Sequence, residues 1–168
     1  MRRVQKVFAV GASGLLLTMT VTPAALAVGT VSASSGKIAA AATYKGKTSQ
    51  RKACVARNLS CGKIAFTKSS GQVSGTITWK AHCTPTAVLT SGTTFKANLT
   101  NGKFAVNGTY HASINNGKFE GRYTVSIAGT VGARKAHGTF SGRAAIFQGS
   151  TKVAVCKSGP VTWTASKQ

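Results

Sequence analysis

The sequence predicts an all-β fold: an antiparallel up-and-down meander of about 8–9 strands, closed into a barrel or wrapped as a strongly coiled β-sandwich. Three observations predict it. Apolar and polar residues alternate with period two from Thr43 onward. Turn-forming pairs punctuate these runs. Glycines recur on the apolar side of the alternation, at Gly46, Gly75, Gly108, Gly121, Gly129, Gly138 and Gly142, next to aromatic residues. Inward glycine permits tight curvature and close strand approach.

The elements follow in order. Val73, Gly75, Ile77, Trp79, Ala81 and Cys83 form one apolar face, and Phe104, Val106, Gly108, Tyr110, Ala112 and Ile114 another. Phe119, Gly121, Tyr123, Val125, Ile127, Gly129 and Val131 alternate with Glu120, Arg122, Thr124, Ser126, Ala128 and Thr130. This is the signature of half-buried strands. No segment holds a helical period. Ser70-Gly71, Asn101-Gly102, Asn115-Asn116 and Ser158-Gly159 offer the positive φ angles of two-residue hairpin loops.

Directly opposed residues must share a face, so each loop fixes a testable register. Ser70-Gly71 pairs Phe66 with Gly75 and Ile64 with Ile77. Asn101-Gly102 pairs Leu99 with Phe104, Ala97 with Val106 and Phe95 with Gly108. Asn115-Asn116 pairs Ala112 with Phe119 and Tyr110 with Gly121. A turn at Gly132-Ala133 pairs Val125 with Phe140 and Ile127 with Gly138. Ser158-Gly159 sets Cys156 opposite Val161, on the face of Trp163 and Ala165. Each set is apolar or glycine. The Asn-Gly-Lys-Phe run at 101–104 recurs at 116–119, each time opening a strand after a turn.

The N-terminus reads as a secretory signal peptide over residues 1–27. Arg2, Arg3 and Lys6 precede an apolar stretch from Val7 to Val21, and Ala25 and Ala27 occupy the small-residue cleavage positions. A retained membrane anchor is the competing reading, but the run is short and broken by Gly and Thr. Removing 27 of the 168 residues leaves 141. Residues 28–42 read as a flexible leader, too poor in bulky side chains to offset ordering entropy, with Ile38 to Ala42 as a fraying start of the first strand in the alternative. Residues 43–168 form a single β domain.

Cys54, Cys61, Cys83 and Cys156 in an exported chain imply two disulfides. Three pairings are possible. The expected one is Cys54–Cys61 as a local staple in a long loop and Cys83–Cys156 as a long-range tie between inward positions. No C-x-x-C occurs, and the three histidines lack ligand spacing, so no metal or cofactor is expected.

Charge bounds the chemistry. Glu120 is the one acidic residue among 22 Lys and Arg, giving a net charge of +21. Loss of the three basic residues of the signal segment leaves 19 bases and one acid, a net +18. Paired-carboxylate hydrolysis needs two acids, and hard-metal sites need several. A strongly cationic surface attracts nucleic acid, anionic lipid or an acidic wall polymer. The bases occupy nearly every strand; Arg122, Arg143, Lys103, Lys118, Lys80, Lys96 and Lys135 are the expected binding set. The aromatic residues fall inward, Phe147 alone breaking the pattern, so contact by charge is expected in place of base stacking.

One constellation could do chemistry. The Asn115-Asn116 register puts His111 opposite Glu120, with Arg122 on the same face, and the Gly132-Ala133 register puts Ala145 opposite Glu120 and Arg143 diagonal to it. A Glu base, a His acid and an Arg clamp would suit a metal-free ribonuclease; a surface ion pair is the plainer reading. His82 beside Cys83 and His137 after Arg134-Lys135 read as surface residues.

The Tyr44-Lys45-Gly46-Lys47-Thr48-Ser49-Gln50 opening, the Ala136-His137-Gly138-Thr139-Phe140 strand start and the Cys156-Lys157-Ser158-Gly159-Pro160-Val161-Thr162-Trp163-Thr164-Ala165 tail carry a resemblance. Over most of Thr43 to Lys167 the chain resembles an uncharacterised family of secreted bacterial all-β proteins with a C-x-S-G-x-V-x-W-x-A tail. The resemblance implies the Cys83–Cys156 pair and the fold. The Cys54–Cys61 pair and the extreme charge look like additions to it. The expectation is a secreted, non-enzymatic domain binding anionic polymer; a small-molecule-binding barrel and a basic nuclease or toxin are the alternatives.

Overall fold

A computed structural model of the chain describes residues 41–168. The signal segment 1–27 and all of the leader but its last two residues lie outside them. Ala42, assigned to the leader, opens the first strand opposite Lys68. The elements are β1 (Ala42–Thr48), α1 (Arg51–Val55), β2 (Lys63–Ser69), β3 (Gln72–Thr84), β4 (Ala87–Asn98), β5 (Lys103–Ile114), β6 (Phe119–Val131), β7 (Lys135–Gln148), β8 (Thr151–Lys157) and β9 (Val161–Lys167). The predicted all-β class holds, with a single helical turn among the described residues.

All nine strands join one antiparallel sheet in the order β4-β3-β2-β1-β9-β7-β6-β5, and β8 joins β3 to β7. The path β3-β2-β1-β9-β7-β8 therefore returns to β3, a closed ring of hydrogen-bonded strands. Two consecutive pairs do not form ladders. The Asn101-Gly102 turn is present, with both residues at positive φ and reciprocal bonds between Thr100 and Lys103. Beyond it β4 and β5 diverge, which corrects the pairing expected there. Leu99 N donates to Gly71 O at 2.6 Å, and Val131 N donates to Gly102 O at 2.7 Å, so the Ser70-Gly71 turn and the end of β6 capture the backbone on both sides. The two strands meet through side chains instead. Phe95 stacks on Phe104 at 5.8 Å, and the Tyr110 hydroxyl contacts those of Ser91 and Thr93.

The second correction is at Ser158-Gly159. Cys156 does not face Val161. β8 and β9 run the same way along one edge of β7, with Lys157 opposite Arg143 and Val161 opposite Phe140. Pro160 between them has no N–H to donate. Ser158 holds the step by accepting from Gly142 N through Oγ at 2.9 Å while its own N–H donates to Gly142 O at 2.8 Å.

The Ser70-Gly71 register is as expected, with Phe66 opposite Gly75 and Ile64 opposite Ile77. Two other registers slip by an even step. At the first, Asn115, Asn116 and Gly117 all have positive φ, which lengthens the loop and sets Ile114 opposite Phe119 and Ala112 opposite Gly121. At the second, Gly132 N donates to Lys135 O, so Ala133-Arg134 is the tip; Ile127 faces Phe140 and Val125 faces Gly142. An even slip keeps every side chain on its expected face.

Trp79, Trp163, Tyr44, Tyr123 and Phe140 are the largest fully buried side chains and fill the interior. Glycine makes room for them. Gly129 and Gly138 oppose each other across β6 and β7, and the Trp163 ring lies over both. A Cβ on Gly138 would meet that ring, the Ala128 carbonyl and Gly129 Cα. Gly138→Ala is therefore expected to destabilise the fold by about 1–3 kcal/mol, as overpacking does. A denaturant midpoint unchanged from the parent would contradict this packing.

Candidate functional site

The face turned away from the core is built by the alternation itself. Along β7 it presents Lys135, His137, Thr139, Ser141, Arg143, Ala145 and Phe147. Cations stand toward both ends and hydroxyls between them. Cross-strand registers extend this pattern into two basic bands.

The first band crosses the start of β7. Lys63, Lys47, Thr164, His137, Thr130 and Lys103 lie on one continuous register from β2 to β5. Lys45 and Lys135 flank it, joined through Ser166. Beside it an open groove of about 700 Å³ is lined by Lys103, His137, Thr130, Thr139, Ala105 and Asn98, among others.

The second band crosses the junction of β3, β8, β7, β6 and β5. His82 faces Lys157, and Lys157 faces Arg143. Arg143 faces Thr124, two residues from Arg122, which faces His111. The hydrogen-bonded ring makes this band possible, because β8 brings Lys157 between β3 and β7.

Glu120 sits at the margin of the second band. Its Oε1 accepts from Arg122 Nε at 3.0 Å and lies 2.9 Å from His111 Nδ1. The slipped register sets Ser113 and Phe147 opposite Glu120, correcting the expected His111 and Ala145. His111 reaches the carboxylate diagonally, and Arg143 is diagonal to Arg122 instead. The Arg122 hydrogen bond holds the Glu120 carboxyl below the usual carboxylate range; slight desolvation opposes it, and the charges of Arg122 and His111 add to it. The guanidinium also lies 4.2 Å from the centre of the Phe147 ring. Phe147 thus faces outward, as the broken alternation implied.

The expected binding residues separate on this surface. Arg122 and Arg143 come together in the second band, and Lys103 and Lys135 belong to the first. Lys96 stands on β4 opposite Ser74, apart from both. Lys118 occupies the β5–β6 loop, its ammonium 5.8 Å from the Phe119 ring centre. Lys80 is 8% exposed. Gln50 lies against its backbone, donating to Lys80 O and accepting from Lys80 N, each at 2.9 Å, so the 49–62 segment covers this stretch of β3. Lys157, Lys47 and Lys63 complete the bands but were missing from the expected set. Their alternation was visible; their neighbours depended on pairings remote in sequence.

Both disulfides form as expected, Cys54–Cys61 with Cα atoms 5.6 Å apart and Cys83–Cys156 with Cα atoms 3.9 Å apart. Among the described residues, no helix is long and apolar enough to cross a membrane. The structure is that of a disulfide-tied antiparallel β domain with a cationic outer face. No protein family, curated protein or solved structure matches the chain.

Proposed function

We propose that the protein is a secreted, non-enzymatic β domain that attaches by charge to anionic polymers of the cell exterior: a wall polymer, extracellular nucleic acid or an anionic lipid surface. One observation carries this reading. Arg143 directly opposes Lys157, and Lys47 directly opposes Lys63, across strand pairs whose registers hold no acid. Like charges directly opposite destabilise a sheet. An anion lodged between them turns that repulsion into attraction. The two disulfides suit an oxidising exterior.

The test is retention on an immobilised polyanion, with a lysine-acetylated sample of the same protein as control. Late elution of the native protein relative to the control supports the reading. Elution at low salt, together with the control, removes it.

Glu120→Gln gives a second check with opposite signs for two readings. Attachment by charge predicts tighter polyanion binding, by up to about fivefold at low salt, because the variant removes the negative charge beside Arg122, an interaction worth at most about 1 kcal/mol, while its amide oxygen can still accept from Arg122 Nε. The nuclease reading draws on the His111–Glu120–Arg122 contact and predicts RNA cleavage that this variant abolishes. RNA left intact by the native protein after prolonged incubation ends that reading. A small-molecule site within the ring would have to displace Trp79, Trp163 or Phe140 from the filled interior.

A further inference from the structure

The second band has an order that attachment by net charge does not require. His82 on β3, Lys157 on β8, Arg143 on β7, Arg122 on β6 and His111 on β5 occupy five consecutively hydrogen-bonded strands, one residue per strand. All five side chains are exposed. At the usual strand spacing of about 4.8 Å, the series spans roughly 19 Å. Resting on the polyanion reading, we infer that this series is a binding track for a flexible phosphodiester chain, gripped through its backbone alone.

Four features favour that ligand. Arg122 and Arg143 supply planar guanidinium forks, which match phosphate oxygens in pairs. Glu120 and Phe147 hold Arg122 from one edge and one face, and the bond to Glu120 uses Nε, leaving both Nη groups to donate. Second, the inward row beneath the track is stiff. It comprises the Cys83–Cys156 bridge, Ala144, and Tyr123 stacked on Tyr110 at 4.6 Å. A stiff bed keeps the cations ordered before the ligand arrives and lowers the ordering cost of binding.

Third, the His82, Lys157 and Arg143 part of the track lies on β3, β8 and β7, strands of the closed ring, so its surface there is convex, and β6 and β5 continue it beyond the ring. Duplex DNA, with a persistence length of about 150 base pairs, touches such a surface over a short stretch. A flexible chain can follow it. Fourth, the Phe147 ring is covered by Arg122, and most large aromatic side chains lie in the core. Stacking on bases, the usual source of affinity for single strands, is therefore minor. Recognition independent of bases leaves two sources with the same chemistry: a polyol-phosphate polymer and single-stranded nucleic acid.

The experiment measures Kd against salt for labelled poly(glycerol phosphate), a single-stranded oligonucleotide and polyglutamate of matched length and charge. Three proteins are compared: the native chain, Arg143→Gln/Lys157→Gln, and Lys47→Gln/Lys63→Gln. Each double variant removes one directly opposed cation pair and relieves its repulsion, so folding is preserved; circular dichroism and intact disulfides verify it. With about 0.7 lost from the log–log salt slope per phosphate contact, Arg143→Gln/Lys157→Gln is expected to flatten the slope by about 1.4. Lys47→Gln/Lys63→Gln is expected to flatten it by less than half as much. Binding of either phosphodiester above polyglutamate supports the track, and the tighter of the two identifies its source.

Equal losses in the two variants would overturn the track while leaving diffuse attachment standing. Equal binding of polyglutamate would overturn the phosphate preference. Absence of salt-dependent binding by the native protein to any of the three would overturn the underlying reading itself.

Discussion

Replacing Cys83 and Cys156 together by alanine is expected to lower the unfolding free energy by about 4 kcal/mol, the chain-entropy value for a bridge whose ends are 73 residues apart. The structural context makes the loss concentrated. β8 pairs with β3 through only His82, Cys83 and Thr84. These three positions close the ring, and the bridge lies in the middle of them. Without it, the union of β3 and β8 rests on a short ladder at the ends of two strands. The melting temperature is expected to fall on the order of 15 °C for a domain of this size. The Cys54–Cys61 bridge spans 7 residues, and its removal is expected to cost only about 2 kcal/mol. Denaturant unfolding of the two double variants measures both values. A larger loss from the short bridge would mean that the backbone ladder alone suffices to close the ring.

Affinity for a flexible anionic polymer is expected to fall about three-hundredfold between roughly 50 and 200 mM salt, if about six phosphates are neutralised. The corresponding log–log slope is near −4, against about −5 for a duplex. The physical cause is the release of condensed counterions, which becomes less favourable as bulk salt rises. With one acid against 22 bases in the chain, almost nothing within the protein screens these charges. Titration of a labelled polyanion over that salt range gives the slope directly. A slope near zero would mean that charge is not the source of binding.

Much of the fold was legible because it is written locally. Alternation requires only that neighbours differ, so the inward positions of Trp79, Tyr123 and Trp163 followed directly. The Ser70-Gly71 hairpin kept its register, whereas the equally tight Asn101-Gly102 turn closed and its strands then parted, so a two-residue loop fixes the turn and leaves the ladder beyond it to packing. The loops after Ile114 and Val131 accommodated more residues than expected, yet the period of two confined both errors to an even slip. His111, Glu120 and Arg122 therefore still met on one face, although with exchanged partners.

The site was less legible. Lys80 had the alternation of an outward cation, but Gln50 and the 49–62 segment folded over it. Nothing in a strand's own pattern records what covers it. Lys157 had the same pattern, and its importance came from β8 lying between β3 and β7. No local signal at Ser158-Gly159 distinguished a reversal from a step that continues in the same direction.

By itself, the sequence determined that this chain is a pleated sheet with an apolar side lined by glycine and aromatic residues and a polar side almost without acids. Those properties depend on side-chain type and spacing. Only the tertiary structure decided that β4 turns away from β5, that β8 and β9 share an edge of β7, and that the cations fall into two bands. Such choices arise from competition among strand edges far apart in sequence. Every edge offers the same N–H and C=O groups, so packing of the whole interior selects the partners.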